Sequence, residues 1–185
     1  MTTERAYPVL HTPDLAEAVA TARDLLALAG LAETSVRCTA PATGPDQWRR
    51  LLAALPGART VRDPFATPVP HDGPWPEVPV KVFQEEAPLG SVEDAFLAAL
   101  DRAPGTPGTL EWWPVRWPSV PRLHLPGYAG AHSSVELLVN SPAPQGGSPS
   151  FGHAVLIHVR GADLERAQWL AERVGRTVIG PAVVA

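Results

Sequence analysis

Residues 6–39 read AYPVLHTPDLAEAVATARDLLALAGLAETSVRCT, and this stretch decides the fold that the sequence predicts. Its middle is helical in pattern, because apolar side chains recur there at the three- and four-residue spacing of one helix face. Pro13 suits the first turn of that helix, and Thr12 suits its N-cap. The flanking segments 6–11 and 35–39 alternate in polarity, so we expect a strand, a helix and a second strand.

The same order of elements recurs over residues 78–110 and 153–179. Strands joined through helices favour parallel neighbours, or a split βαβ arrangement with helices stacked on one face. We therefore predict an α+β fold of the ferredoxin-like or split βαβ type, with helices on one face of a mixed sheet and long proline-rich loops. Further predicted elements are helices at 45–55, 91–100 and 162–174 and strands at 58–61, 78–84, 134–139, 153–159 and 176–184.

Length and composition predict one domain over residues 1–185, because 45% of the residues are hydrophobic and only 18% are charged. Proline and glycine are abundant, with 22 and 15 residues. Six prolines fall within residues 63–79, which we expect to form a long loop or an internal linker. A second loop is expected over residues 140–152.

Charge and motifs exclude several classes of function. A net charge of −4 does not favour nucleic-acid binding. No apolar run has the length of a signal peptide or a membrane span, so cytoplasm is the simplest compartment. The lone Cys38 excludes an internal disulfide and reads as a core residue. No motif for a nucleotide, a phosphate or a zinc ion occurs, so no cofactor is implied.

The most unusual segment is EWWPVRWP at residues 111–118, which holds three of the six tryptophans. Its prolines confine residues 109–125 to sheet edges or irregular strands. In an extended chain Trp113 and Trp117 share one face, while Trp112 and Arg116 share the other. One face can be core, and the other then suits a ligand, a peptide or a second copy of the chain. The alternative is that all three indoles pack beneath the long loops.

The leading functional hypothesis is a binding or interaction domain for a small molecule or a protein partner. It explains both the tryptophans and the proline-stiffened loops, since rigid groups lose little entropy on binding. We expect the contacts to come from the tryptophan-rich segment and a nearby tyrosine, namely Trp112, Trp113, Arg116, Trp117 and Tyr128. A homo-oligomer is possible on the same surface.

A second hypothesis is a metal-dependent enzyme. His11 and His158 each end a predicted strand before a helix, so in a pseudo-symmetric fold they could approach each other, with Glu111 or Glu136 as a carboxylate ligand. The segments HTPDL at 11–15 and HVRGADL at 158–164 resemble the strand–helix openings of glyoxalase-type vicinal oxygen chelate modules. That resemblance implies a Lewis-acid metal held by such side chains. The chain departs from the family where 45–55 reads as a helix.

A third hypothesis is a metal-free cyclase or isomerase. Its pocket would be lined by Trp113, Trp117 and Tyr128, with His124 as the general base. The sequence names no substrate for such an enzyme, and whether the chain is an enzyme at all stays open at this point.

Overall fold

The computed structural model describes residues 4–62, 67–102, 105–130, 132–141, 152–160 and 163–184. Within these residues four α-helices and eleven short or long strands form an α+β fold. The helices are α1 (Leu15–Ala27), α2 (Pro45–Ala54), α3 (Glu93–Asp101) and α4 (Leu164–Arg173). The strands are β1 (Glu4–Thr12), β2 (Ser35–Ala42), β3 (Arg59–Arg62), β4 (Thr67–Pro68), β5 (Val80–Pro88), β6 (Gly108–Trp113), β7 (Arg116–Trp117), β8 (Tyr128–Ala129), β9 (Ser134–Val139), β10 (His153–Arg160) and β11 (Val183–Val184).

Nine of these strands form one open sheet in the order β11-β1-β10-β9-β6-β2-β5-β3-β4, and β7 pairs with β8 separately. Every strand pair in the described residues is antiparallel, so the expected mixed sheet is wrong. The helical connections do not join neighbouring strands, because α2 leads from β2 to β3 past β5, and β5 runs the opposite way. Strands that are parallel in direction are therefore kept apart in the sheet.

All four helices pack on one face of the sheet, as expected, and bury the main core there. Alternate residues of the strands meet the apolar stripes of the helices, as in β2, where every second residue is buried. The central members of this core include Val36, Leu110, Leu137 and Ile157 from the strands and Leu25, Leu51, Phe96 and Leu170 from the helices. The opposite face, which we call the second face, carries the other residue of each alternation.

Local sequence explains where the helices begin. Asp14, not Thr12, caps α1, because its Oδ1 accepts from the N–H groups of Ala16 and Glu17 at 2.9 and 3.3 Å. Thr12 instead accepts from the N–H of Asp14 at 3.1 Å. In α2, Pro45 occupies the first turn, where its missing N–H costs nothing.

Two predicted segments differ in the structure. Residues 109–125 were expected at sheet edges or in irregular strands. β7 lies outside the nine-stranded sheet, but β6 lies between β2 and β9 in its middle. Its six residues precede Pro114, so no proline interrupts the ladder. The strand expected at 176–184 is reduced to Val183–Val184. Before it, the N–H of Ile179 donates to the carbonyl oxygen of Pro8 in β1.

The proline-rich loop 63–79 is described only in part, since residues 63–66 lie outside the described residues. Thr67–Pro68 extends the sheet by pairing with β3. Trp75 packs on Trp48 of α2 with ring centroids 5.6 Å apart, so this part of the loop covers the helix layer. Of the second expected loop, only residues 140, 141 and 152 are described. No helix among the described residues has both the length and the apolar character needed to cross a membrane.

Candidate functional site

The three tryptophans of the tryptophan-rich segment occupy three different environments. Trp112 faces the helix layer and is 4% exposed, whereas Trp113 is half-buried on the second face. Trp117 is fully buried, and its indole N–H donates to the carbonyl oxygen of His158 at 3.0 Å. β6 ends at Trp113 and β7 belongs to a separate ribbon, so the alternation assumed from the sequence does not continue between them. The indoles therefore do not form one surface.

Trp112 forms the floor of a groove between α1 and α3 that holds about 370 Å³. Three side chains of α1, Val19, Arg23 and Leu26, line one wall, as their helical spacing requires. Leu97 of α3 lines the other wall. The lining is thus mainly apolar with three charged side chains, Arg23, Glu93 and Asp94, which is the usual composition of a small-molecule site.

Glu93 holds the indole of Trp112 in place. The indole N–H donates to Oε1 of Glu93 at 3.4 Å, and the same oxygen accepts from the N–H of Gly90 at 2.8 Å. The other oxygen, Oε2, accepts from the N–H of Val92 at 3.1 Å. Gly90 has a φ of 78°, a left-handed conformation that favours glycine and directs its N–H toward the carboxylate. The buried carboxylate is therefore satisfied by three donors.

The mouth of the groove carries an ion pair and an exposed leucine. Arg23 of α1 and Asp94 of α3 approach to 2.9 Å across it, and both side chains are exposed. Leu89, which is 43% exposed, stands at the turn before α3. An amphipathic molecule could therefore place its apolar part against Trp112 and its polar group near Arg23 and Asp94.

Three of the four residues proposed for a metal lie together on the second face. Glu111 of β6 and Glu136 of β9 are directly opposite in the ladder, where like charges repel. Each has a partner on a neighbouring strand: Nε2 of His158 lies 2.8 Å from Oε2 of Glu136, and Nη1 of Arg37 lies 3.5 Å from Oε2 of Glu111. We call Arg37, Glu111, Glu136 and His158 the second-face cluster.

The second-face cluster reaches Trp113 as well, because the Arg37 guanidinium lies over its ring at 3.7 Å from the centroid. The cluster therefore spans β2, β6, β9 and β10, and each of its two carboxylates contacts a side chain from a neighbouring strand. These contacts fix the side chains of the cluster relative to one another on the second face.

The structure separates His11 from His158. His11 pairs with Ala154 and His158 pairs with Ala6, so the two histidines stand five positions apart along β1. The expected pseudo-symmetric approach does not occur, because β1 and β10 are antiparallel neighbours and their carboxyl ends lie at opposite ends of the strand pair. Among the described residues, no group of three or more histidine, cysteine, aspartate or glutamate side chains could hold a metal ion.

The remaining proposed site residues lie near one another in the chain but in different surroundings. His124 is exposed, with a left-handed φ of 54° after the 3-10 turn Pro121–Leu123. Tyr128 pairs with Trp117 in the β7–β8 ribbon and is half-buried against the core. Because Trp117 has no exposed surface, it cannot line an open pocket with His124. Arg116 is exposed and pairs through its backbone with Gly30.

The sequence indicated Trp112 but not the residues that form the groove above it or the glutamate that holds its indole. Glu93, Arg23 and Leu97 belong to helices far apart in the chain, and only the sheet order brings them together. The sequence predicted a helix at each wall, but it placed neither Arg23 nor Leu97 in a site.

Comparison with family models, with curated proteins and with solved structures gave no match to this chain. The resemblance to vicinal oxygen chelate modules is thus not supported by any family match. The fold differs as well, because the helix α2 follows β2 where that family continues with strands.

Proposed function

We propose that this protein binds a small, largely apolar molecule in the groove between α1 and α3, with the Trp112 indole as its floor. The single observation that carries the proposal is the position of a buried, hydrogen-bonded tryptophan at the base of an apolar groove of about 370 Å³. Volumes of roughly 300–1,000 Å³ are usual for sites of this kind. The proposal narrows the predicted binding domain to one ligand class and one place.

The groove favours a small molecule over a protein partner. The Arg23–Asp94 pair bridges α1 and α3 at the groove, so a helix or strand of another chain would have to displace it to enter. Leu26, Leu97 and Trp112 are at most 9% exposed, and their remaining surface is concave. A protein partner would have to bind across the ion pair without filling that space.

The strand order supports the finer, ferredoxin-like description of one part of the fold. Residues 35–113 run β2, α2, β3, β5, α3, β6, and in the sheet these strands stand in the order β6-β2-β5-β3, with the two-residue β4 beyond β3 at the edge. This is the split βαβ connectivity that we infer for the unit. α3 belongs to this unit and α1 does not, so the groove lies where the unit meets the rest of the chain, a common place for ligands. Cytoplasmic location stays a prediction of the sequence.

The experiment is a titration with 1-anilinonaphthalene-8-sulfonate, a probe with an apolar ring system and one anionic group. The protein is titrated in calorimetry and by probe fluorescence, next to a variant whose groove is filled. Ala27→Trp fills it, because Ala27 is exposed and lines the groove at the last residue of α1. Ala95→Trp is the matched control, because Ala95 is an exposed alanine of α3 outside the lining.

We expect saturable binding of one probe per chain, weakened roughly tenfold by Ala27→Trp and unchanged by Ala95→Trp. Circular dichroism of both variants checks that the fold is intact. Binding that is absent, unsaturable or equally affected in both variants would contradict the proposal. A protein partner that binds wild type and Ala27→Trp alike would move the function to another surface.

A further inference from the structure

A second pocket lies at the opposite end of α1, and it shares no lining residue with the groove. It holds about 590 Å³ between the start of α1, the end of α3 and the adjoining ends of β9 and β10. Four polar residues line it: Asp14, Asp101, Asn140 and His153. None of them belongs to the proposed function.

His153 offers a single fixed donor to this pocket. The side chain is only 6% exposed, and its Nδ1 accepts the backbone N–H of Asn140 at 3.2 Å. Asn140 has a left-handed φ of 48°, which fixes the direction of that N–H. A neutral imidazole whose Nδ1 accepts must carry its proton on Nε2. No residue in the described parts of the chain accepts from this Nε2–H.

The pocket is also negative. Asp14 uses Oδ1 to cap α1, which leaves Oδ2 without a bond in the described residues. Asp101 is exposed at the end of α3, where the negative end of the helix dipole adds to its charge. Burial lowers the pKa of His153, while Asp14 and Asp101 oppose that shift and His11 reinforces it. Both carboxylates therefore act on the ring from the walls of the pocket.

We propose that this pocket binds a small organic ammonium ion that carries an oxygen acceptor. The oxygen accepts from Nε2–H of His153, and the ammonium group lies between Asp14 and Asp101. A cation is favoured because both ionised groups of the pocket are carboxylates. An organic cation is favoured over a metal because a neutral imidazole N–H is a donor and cannot coordinate a metal through that nitrogen.

The test uses ethanolamine as the probe, because it has one ammonium group and one hydroxyl oxygen. Ethylamine, which lacks the oxygen, and acetate, which lacks the cation, are titrated in parallel. The ring signals of the histidines are followed by NMR on the full chain, and the His153 signal is identified by its loss in His153→Gln. Asp101→Asn tests the charge, and Asp24→Asn, an exposed residue of α1 outside both pockets, is the matched control.

We expect ethanolamine to shift the His153 signal saturably and to bind more tightly than ethylamine, while acetate leaves the signal unmoved. Asp101→Asn should weaken ethanolamine binding several-fold, and Asp24→Asn should not. The proposal is overturned if ethanolamine gives no saturable shift of the His153 signal, if acetate shifts that signal too, or if Asp101→Asn and Asp24→Asn bind ethanolamine alike. Its failure would not affect the groove, which is titrated with a different probe and different variants.

Discussion

The indole N–H of Trp117 donates to the carbonyl oxygen of His158 at 3.0 Å, which ties the β7–β8 ribbon to β10 through the protein core. Both groups are buried, so the bond satisfies a donor that would otherwise be costly to enclose. The same histidine holds Glu136 with its ring at 2.8 Å on the second face. His158 therefore links a core tryptophan to the charged cluster through its backbone and its side chain.

Trp117→Ala should lower the unfolding free energy far more than Trp113→Ala. Removing the fully buried indole leaves a large cavity, for which roughly 3–5 kcal/mol of unfolding free energy is expected to be lost. Trp113 is half-buried and stacked on Arg37, so about 1–2 kcal/mol is expected for Trp113→Ala. Urea unfolding followed by far-UV circular dichroism measures both. Equal losses would show that the two indoles are buried to the same extent in solution.

Arg166 is a buried residue that fastens the proline-rich segment after β7 to α4. Its guanidinium donates to Oδ2 of Asp163 at 2.8 Å and to the carbonyl oxygens of Pro118 and Pro126 at 2.8 and 2.7 Å. Three acceptors in three directions match the planar donor fork of arginine, and the ammonium of a lysine lacks that fork.

Arg166→Ala should therefore cost roughly 3–5 kcal/mol of unfolding free energy, and Arg166→Lys should recover little of it. Arg173→Ala is the control, because Arg173 lies at the exposed end of the same helix. Limited proteolysis is expected to cut Arg166→Lys within residues 118–126 earlier than wild type. Full recovery by lysine would mean that charge alone, and not the fork, holds the segment.

Much of the local structure followed from local residues. The helix α2 was predicted within one residue, because Pro45 starts it, Trp48 and Leu51 mark its buried side, and Pro56-Gly57 follow its end. The strands β9 and β10 were likewise predicted, since their apolar runs are bounded by turns. These features depend on residues that are close in sequence, so pattern and propensity sufficed.

The sheet order and the sites depend on residues that are far apart in sequence. Glu111 meets Glu136 and Arg37 because β6 was placed between β2 and β9, and no spacing in the chain encodes that neighbour choice. Trp112 was predicted to be a binding residue, but its hydrogen-bond partner Glu93 was not, because a glutamate after a turn has the pattern of an ordinary helix start.

Cys38 should be unreactive in the native protein. It is fully buried in β2, and burial, reinforced by Glu93, raises the pKa of its thiol from 9.0 to about 12. Modification by a disulfide reagent at about pH 8 should then proceed at the rate of unfolding and speed up with urea.

The same shift gives stability a dependence on alkaline pH. The unfolded thiol ionises near 9.0 and the folded thiol only near 12, so stability is retained below 9.0 and is lost progressively as the pH rises toward 12. Cys38→Ala should remove this component of the alkaline loss. Rapid stoichiometric modification without denaturant would contradict the burial of Cys38.

His153 should make the unfolding free energy fall as the pH is lowered, whereas Cys38 makes it fall as the pH is raised. Burial lowers its pKa below the ordinary 6.5, against the carboxylates of Asp14 and Asp101 and with the help of His11. Below 6.5 the unfolded chain binds a proton that folded His153 does not, so stability falls as the pH falls through that range.

His153→Gln removes the titrating group while keeping an amide that can hydrogen-bond. Wild type is therefore expected to lose more unfolding free energy than His153→Gln between about pH 7.5 and about pH 5, as measured by urea unfolding at both values. Because every other titrating group is shared, the difference between the two proteins isolates His153, and a difference that stays constant with pH would show that its ring titrates normally.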